Sequence, residues 1–293
     1  MTTRSLTLIA LCLTAFLAQP AGAEPAFIAG RQEGLALLQK GRHAEAAAFF
    51  VKLAESAAKP EQKADALRHA ALATVRDKRF DEALLLAEQI PLKPESLFAK
   101  VQIYLEARKW AEVLQAAEML DEATWPDGLI YDTFMARARA HSALGETAEA
   151  ERDALASMKH TLSKNNLATA WHFIAQDAQR SGKGPDKALA AYAEIIRLQA
   201  SGGGWQRALS ERARLLSSLG KHEAALADLG ELEKVTRNDP HWVCTALIGY
   251  GEVHRAMGDK AKARESLEKA AKVPGAPAVL VEEAKKRLEE IQP

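Results

Sequence analysis

The side chains of this chain best equipped to hold a ligand are arginines. Arg139, Arg180, Arg207, Arg214 and Arg255 fall at matching places in a repeated sequence phrase, as do Arg31 and Arg68 nearer the N-terminus. No lysine joins them, although the chain carries about as many lysines as arginines. A guanidinium presents planar, forked N–H donors that fit carboxylates and phosphates two bonds at a time. The acids at the same places in the later repeats are Asp132, Asp177 and Glu252, so the five arginines leave donors over for an acidic segment or a free carboxylate. The competing reading is a solvated face, in which those acids pair with the arginines and the arginine stems cover apolar surface.

Other chemistry is hard to assemble from these residues. Gly182-Lys183-Gly184 and Gly249-Tyr250-Gly251 lack the third glycine and the preceding strand of a dinucleotide loop. No Gly-x-Ser-x-Gly elbow and no Gly-Lys-Ser/Thr phosphate loop occurs. Asp81-Glu82 opens a helix, where the dipole accounts for both carboxylates. His241-Trp242-Val243-Cys244 is the one local His/Cys pair, and a zinc site needs two more ligands that the spacing does not supply. Packing of Trp242 and Cys244 at the start of a repeat is the plainer reading. No catalytic residue, cofactor or metal site is expected, and the chain reads as a non-enzyme.

The elements that would position the arginines come from a period. Variants of Gly41-Arg42-His43-Ala44-Glu45-Ala46 return seven times, and their last residues are Ala46, Ala83, Val113, Ala150, Ala188, Ala225 and Ala263. These anchors are 37, 30, 37, 38, 37 and 38 residues apart. Twelve residues before each anchor stand Gly34, Ala71, Val101, Ala138, Gln176, Ala213 and Gly251, five of them Gly or Ala. Small side chains at both places let two helices approach closely. Four and seven residues after the anchors come mostly apolar side chains, which share one face of a second helix. Gly41, Gly145, Gly220 and Gly258 fall between the paired helices, where a left-handed residue ends the first. Ser201-Gly202-Gly203-Gly204 is the most flexible connection.

The small residue, turn glycine, anchor alanine and closing prolines (Pro60, Pro91, Pro94, Pro126, Pro240) resemble the tetratricopeptide repeat over roughly residues 26–275. The resemblance implies an all-α, right-handed α-solenoid of about seven helix pairs over residues 24–277. A capping helix over 278–293 would follow, with Val281, Ala284, Leu288 and Ile291 on its apolar stripe. It also implies that the first helices line a concave face. The positions 18, 15, 11 and 8 residues before each anchor would then look into it. In repeats six and seven these are Arg207, Ser210, Arg214, Ser217, Thr245, Ile248, Glu252 and Arg255. In the earlier repeats Leu72, Phe98 and Leu105 would hold the other end of an extended ligand, or would be core.

The first 23 residues read as a separate device. Arg4 precedes an apolar run from Leu6 to Ala18, too short for a comfortable membrane span, and Ala21-Gly22-Ala23 offers a cleavage site before Glu24. The alternative is an uncleaved N-terminal anchor. Leu11 before Cys12 argues against lipidation, and once the leader is gone Cys244 has no partner for an internal disulfide. Charges balance at 39 basic and 39 acidic residues, so nothing points to nucleic acid or to an anionic membrane. The expectation is a periplasmic or secreted scaffold or assembly factor that binds protein or peptide, without stable membrane insertion after cleavage. The alternatives are a cell-wall-active enzyme on a helical superhelix and a structural subunit of an outer-membrane or secretion machine.

Overall fold

A computed structural model describes residues 25–182, 184–199, 203–236 and 238–291. The expected leader and its cleavage site, and Ser201-Gly202 of the expected flexible connection, lie outside the described residues. The helices are α1 (Pro25–Gln39), α2 (His43–Glu55), α3 (Pro60–Arg76), α4 (Phe80–Glu88), α5 (Lys93–Glu106), α6 (Trp110–Ala117), α7 (Asp127–Leu144) and α8 (Thr147–Ser157). After a single 3-10 turn come α9 (Lys164–Arg180), α10 (Pro185–Leu198), α11 (Gly204–Ser218), α12 (His222–Val235), α13 (Pro240–Ala256), α14 (Lys260–Ala270) and α15 (Ala278–Glu289). No strand occurs among the described residues. The all-α architecture of seven helix pairs and a final helix is the one the repeat implies. The helices group into two compact units, one running up to His160 and the other starting at Thr161.

Local sequence starts and stops the helices where the period requires. Pro60, Pro185 and Pro240 occupy the first turn of α3, α10 and α13, where the missing N–H has no helical partner to lose. Between paired helices the chain turns through a left-handed residue five places before the anchor: Gly41, Lys78, Arg108, Gly145, Gly220 and Gly258, with φ from 56 to 83°. The fifth pair differs. Its left-handed residue, Gly182, stands six places before Ala188, so that turn is one residue longer.

Packing follows the small residues. All seven anchors are 0% exposed. A Cβ on Gly34 would lie 2.5 Å from the Phe50 ring, and one on Gly251 would lie 2.7 Å from Leu267 Cγ. Glycine there sets the closest approach within the first and seventh pairs. In the first unit α1, α3, α5 and α7 neighbour one another in sequence, and in the second α9, α11, α13 and α15 do the same. Each unit thus sets its first helices side by side, and α15 continues the row of the second unit as the first helix of an eighth pair would.

Candidate functional site

Between α11, α13 and α15 opens a groove of about 470 Å³. That falls within the range of small-ligand clefts. From α11 it is lined by Arg207, Ser210, Arg214 and Ser217, and from α13 by Thr245, Ile248, Glu252 and Arg255. These are the eight positions that the repeat register assigns to repeats six and seven. Steps of three and four residues put each set on one helical stripe. The final helix adds Leu280, Glu283 and Arg287, again at steps of three and four.

The groove's charges are unevenly paired. Glu211, on its wall, takes a hydrogen bond of 2.7 Å from the Tyr192 hydroxyl, which in turn accepts one of 2.6 Å from Gln179. Tyr192 is wholly buried, so this hydroxyl needs such partners. Glu211 Oε1 also faces Arg207 Nε at 3.5 Å, and His172 Nδ1 lies 3.9 Å from the other oxygen. Burial lowers the His172 pKa, with Glu211 opposing and Arg207 assisting. Arg255 reaches Glu290, just past the end of α15, at 3.7 Å. Arg287 pairs with Glu252 across the groove and with Glu283 on its own helix. Arg214 makes no hydrogen bond or ion pair among the described residues. It nevertheless stands near enough to Arg287 to act on it: burial first, then Arg214, lower the Arg287 pKa, with Glu290 opposing. At the α13 entrance, the His241 ring meets Trp242 edge-on at 4.8 Å. The Trp242 ring covers Gly203, where a Cβ would come within 3.1 Å of it.

The corresponding face of the first unit is filled from within. Arg31 Nε donates to Asp65 Oδ2 at 2.8 Å and Arg68 Nη2 to Asp65 Oδ1 at 2.9 Å, with side chains only 18% and 7% exposed. Burial pushes the Asp132 carboxyl up to about 6, while Arg139 and Arg68 pull it back. Burial also lowers the His69 imidazole to about 4; it stacks on Phe50 at 5.0 Å, and its Nδ1 lies 2.8 Å from the Asp65 carbonyl.

Of the five expected arginines, the structure brings three into one groove: Arg207, Arg214 and Arg255. Arg139 belongs to the first unit, half-buried near Asp132. Arg180 is displaced by the longer turn of the fifth pair. Gln179, three residues before the left-handed Gly182, takes the place that Ser217 holds before Gly220. Arg180 is therefore one step round the helix, 61% exposed and 3.6 Å from Asp177, outside the groove. Gln176 is exposed for the same reason, and Ala175 is the buried small residue of that pair.

Phe98 requires a correction as a ligand-facing residue. It is 1% exposed, clustered with Trp125, Leu129, Ile130 and Phe134, because the connection from α6 to α7 lays Trp125 into its cluster. Leu105 packs half-buried against the cluster of Val101, Val113 and Ala117, and Leu72 is half-buried. Cys244 is buried, its thiol pushed up by burial and donating to the Ala270 carbonyl at 3.4 Å. No group of three or more His, Cys, Asp or Glu is arranged for a metal, and no helix is long and apolar enough to cross a membrane, among the described residues.

Residues 245–275, most of the seventh pair, match the family model of the tetratricopeptide repeat. No curated protein matches the chain. Among solved structures, the chain is similar to a signal-transduction ATPase with numerous domains and a tetratricopeptide repeat sensor, from Pyrococcus horikoshii. There the TM-score is 0.58 at 11% identity, over 93% of this chain and 43% of that one. It is also similar to the C-terminal part of a repeat-containing protein from Cytophaga hutchinsonii, with TM-score 0.55 at 14% identity, over 86% of this chain and 98% of that one. A third similar structure is BtubC from P. vanneervenii, with TM-score 0.50 at 16% identity, over 92% and 95%. At such identities the likeness concerns the fold alone. Residues 245–275 are thus a tetratricopeptide repeat, and the chain around them has the paired-helix fold of solved tetratricopeptide repeat proteins.

Proposed function

We propose that this chain is an exported scaffold or assembly factor of the cell envelope, and that it captures a protein or peptide in the α11–α13–α15 groove. One observation carries the reading: the eight positions that the repeat register assigns to repeats six and seven line a single groove, and of its four arginines Arg214 faces no carboxylate within ion-pair reach among the described residues. The unpaired guanidinium of Arg214 favours an acidic segment, with charge-assisted bonds each contributing about 1.5–3 kcal/mol when desolvated. The tetratricopeptide repeat at 245–275 supports protein binding, since helical solenoids present extended surfaces to other chains. The export part of the reading rests on the apolar run and Ala21-Gly22-Ala23.

A photo-crosslinking amino acid placed at Thr245, inside the groove, and separately at Glu151 on α8 tests capture in the native cells. The expected result is a discrete adduct from Thr245 alone, weakened by Arg207→Ala with Arg214→Ala and by added salt. Equal labelling from both places, or adducts indifferent to the double variant, would return these arginines to a solvated face. N-terminal sequencing of the adducted chain tests export, with Glu24 as the expected first residue.

A further inference from the structure

The pairing pattern assigns unequal roles to the groove's arginines. Arg207 faces Glu211, whose position the buried Tyr192 hydroxyl fixes. Arg255 faces Glu290, and Arg287 is taken by Glu252 and Glu283. Arg214 stands exposed with its donors unused. One helical turn to either side on the same stripe come Ser210 and Ser217, whose hydroxyls make no hydrogen bond among the described residues either. Three unused donors on one stripe of α11, inside a groove, form a seat for an oxyanion.

Resting on the peptide-binding reading, we propose that the groove reads one acidic side chain from the interior of a peptide, and reads it at Arg214. Position selects an internal residue over a chain end. On α11 the groove's lining runs from Arg207 to Ser218, and on α13 from His241 to Ala256. Arg214 lies within that span, with lining residues on both sides. A terminal carboxylate seated there would leave the groove beyond it empty, while an internal side chain lets the peptide continue along the groove in both directions. The carboxylate would accept from the guanidinium fork of Arg214, with the Ser217 or Ser210 hydroxyl as a second donor.

The experiment uses the whole chain and three fluorescein-labelled heptapeptides of Gly, Ser and Leu, read by fluorescence anisotropy. The first has a central glutamate and an amidated end. The second has glutamine at the centre and a free terminal carboxylate, and the third has glutamine and an amide. The first should bind at least tenfold more tightly than the third, with the second close to the third. Arg214→Ala should erase that preference, Arg214→Lys should restore part of it, and Arg207→Ala should change it less than threefold. Circular dichroism establishes that each variant is folded. A second peptide as good as the first would move the seat to a chain end and overturn the proposal. Equal losses from Arg207→Ala and Arg214→Ala would overturn the single seat. Equal binding of all three peptides removes the seat and leaves the scaffold reading standing. Binding of none overturns the seat, while the crosslink from Thr245 then decides the scaffold reading by itself.

Discussion

The two units use one repeat register to opposite ends. In the first, the inward positions are spent on internal pairing: Asp65 accepts from Arg31 and Arg68, both largely buried, and Phe98 is core. In the second, the same positions on α11 and α13 line a groove, with Arg207 and Arg255 each about half exposed. An arginine at a given place in a repeat is therefore no measure of binding. What matters is whether a carboxylate of the same unit already faces it, and how much water separates the two. Coulomb attraction grows and hydration falls as a pair is buried, so Asp65 holds its arginines far more firmly than Glu290 holds Arg255.

Removing each carboxylate tests that contrast most severely. Asp65→Ala takes the acceptor from two largely buried guanidiniums and should cost roughly 3 kcal/mol. Glu290→Ala removes an exposed contact of 3.7 Å and should cost less than about 0.5 kcal/mol. Urea unfolding at neutral pH measures both. Equal losses would break the contrast between a self-paired face and an open one.

The helix pairs were legible because small residues recur where helices must touch, and a fixed period survives without any alignment. The site was legible in part, for reasons that attach to single residues. Counting back from anchors works only while the turn keeps its length, and the extra residue before Ala188 carried Arg180 off the stripe. Phe98 sits at an inward position by count, but the side chain that covers it, Trp125, comes from a connection that the period does not describe. Arg287 and Glu283 escaped because α15 has no anchor to count from. Their steps of three and four, shared with Leu280, were the available signal, had α15 been read as the first helix of an eighth pair. Glu211 lies off the chosen stripe, and its hold on Arg207 depends on a tyrosine of the preceding pair.

Acid titration sharpens the contrast from the side of the first unit. The folded Asp132 carboxyl titrates near 6, above the unfolded value of 3.8, so its charged form is penalised in the folded chain. That penalty is fully present above pH 6 and fades as pH falls towards 4, where the folded state holds more protons than the unfolded one. Asp132→Asn should therefore stabilise the chain by about 1–2 kcal/mol at pH 7, after allowance for partial exposure, and by almost nothing at pH 4. His69 runs the other way. Its folded value near 4 lies below 6.5, so its contribution to stability is lost as pH falls through that window. The difference between variant and wild type, melted side by side across pH 4–7, isolates Asp132 from His69. A constant difference across the range would mean that Asp132 stays charged throughout.

The turns offer the finest comparison. In the second unit the left-handed residue between paired helices is Gly182, Gly220 or Gly258, whereas in the first unit two of the four such residues are Lys78 and Arg108, at φ 61 and 56°. A side chain in that conformation costs roughly 1–2 kcal/mol, because its Cβ crowds the following carbonyl. Glycine avoids the clash but gives up as much as about 1 kcal/mol of unfolded-chain entropy, so the gain is smaller than the strain. Lys78→Gly should stabilise the first unit by about 0.5–1 kcal/mol, since the side chain is exposed and its removal leaves no cavity. Gly145→Ala, the reverse change at the fourth turn, should destabilise by a similar amount; nothing lies within 4 Å of the added methyl, so the cost comes from backbone strain alone. Opposite shifts in thermal midpoint for these two variants are the expected outcome. A drop for Lys78→Gly would show that the Lys78 side chain holds the turn by contacts that outweigh its strain.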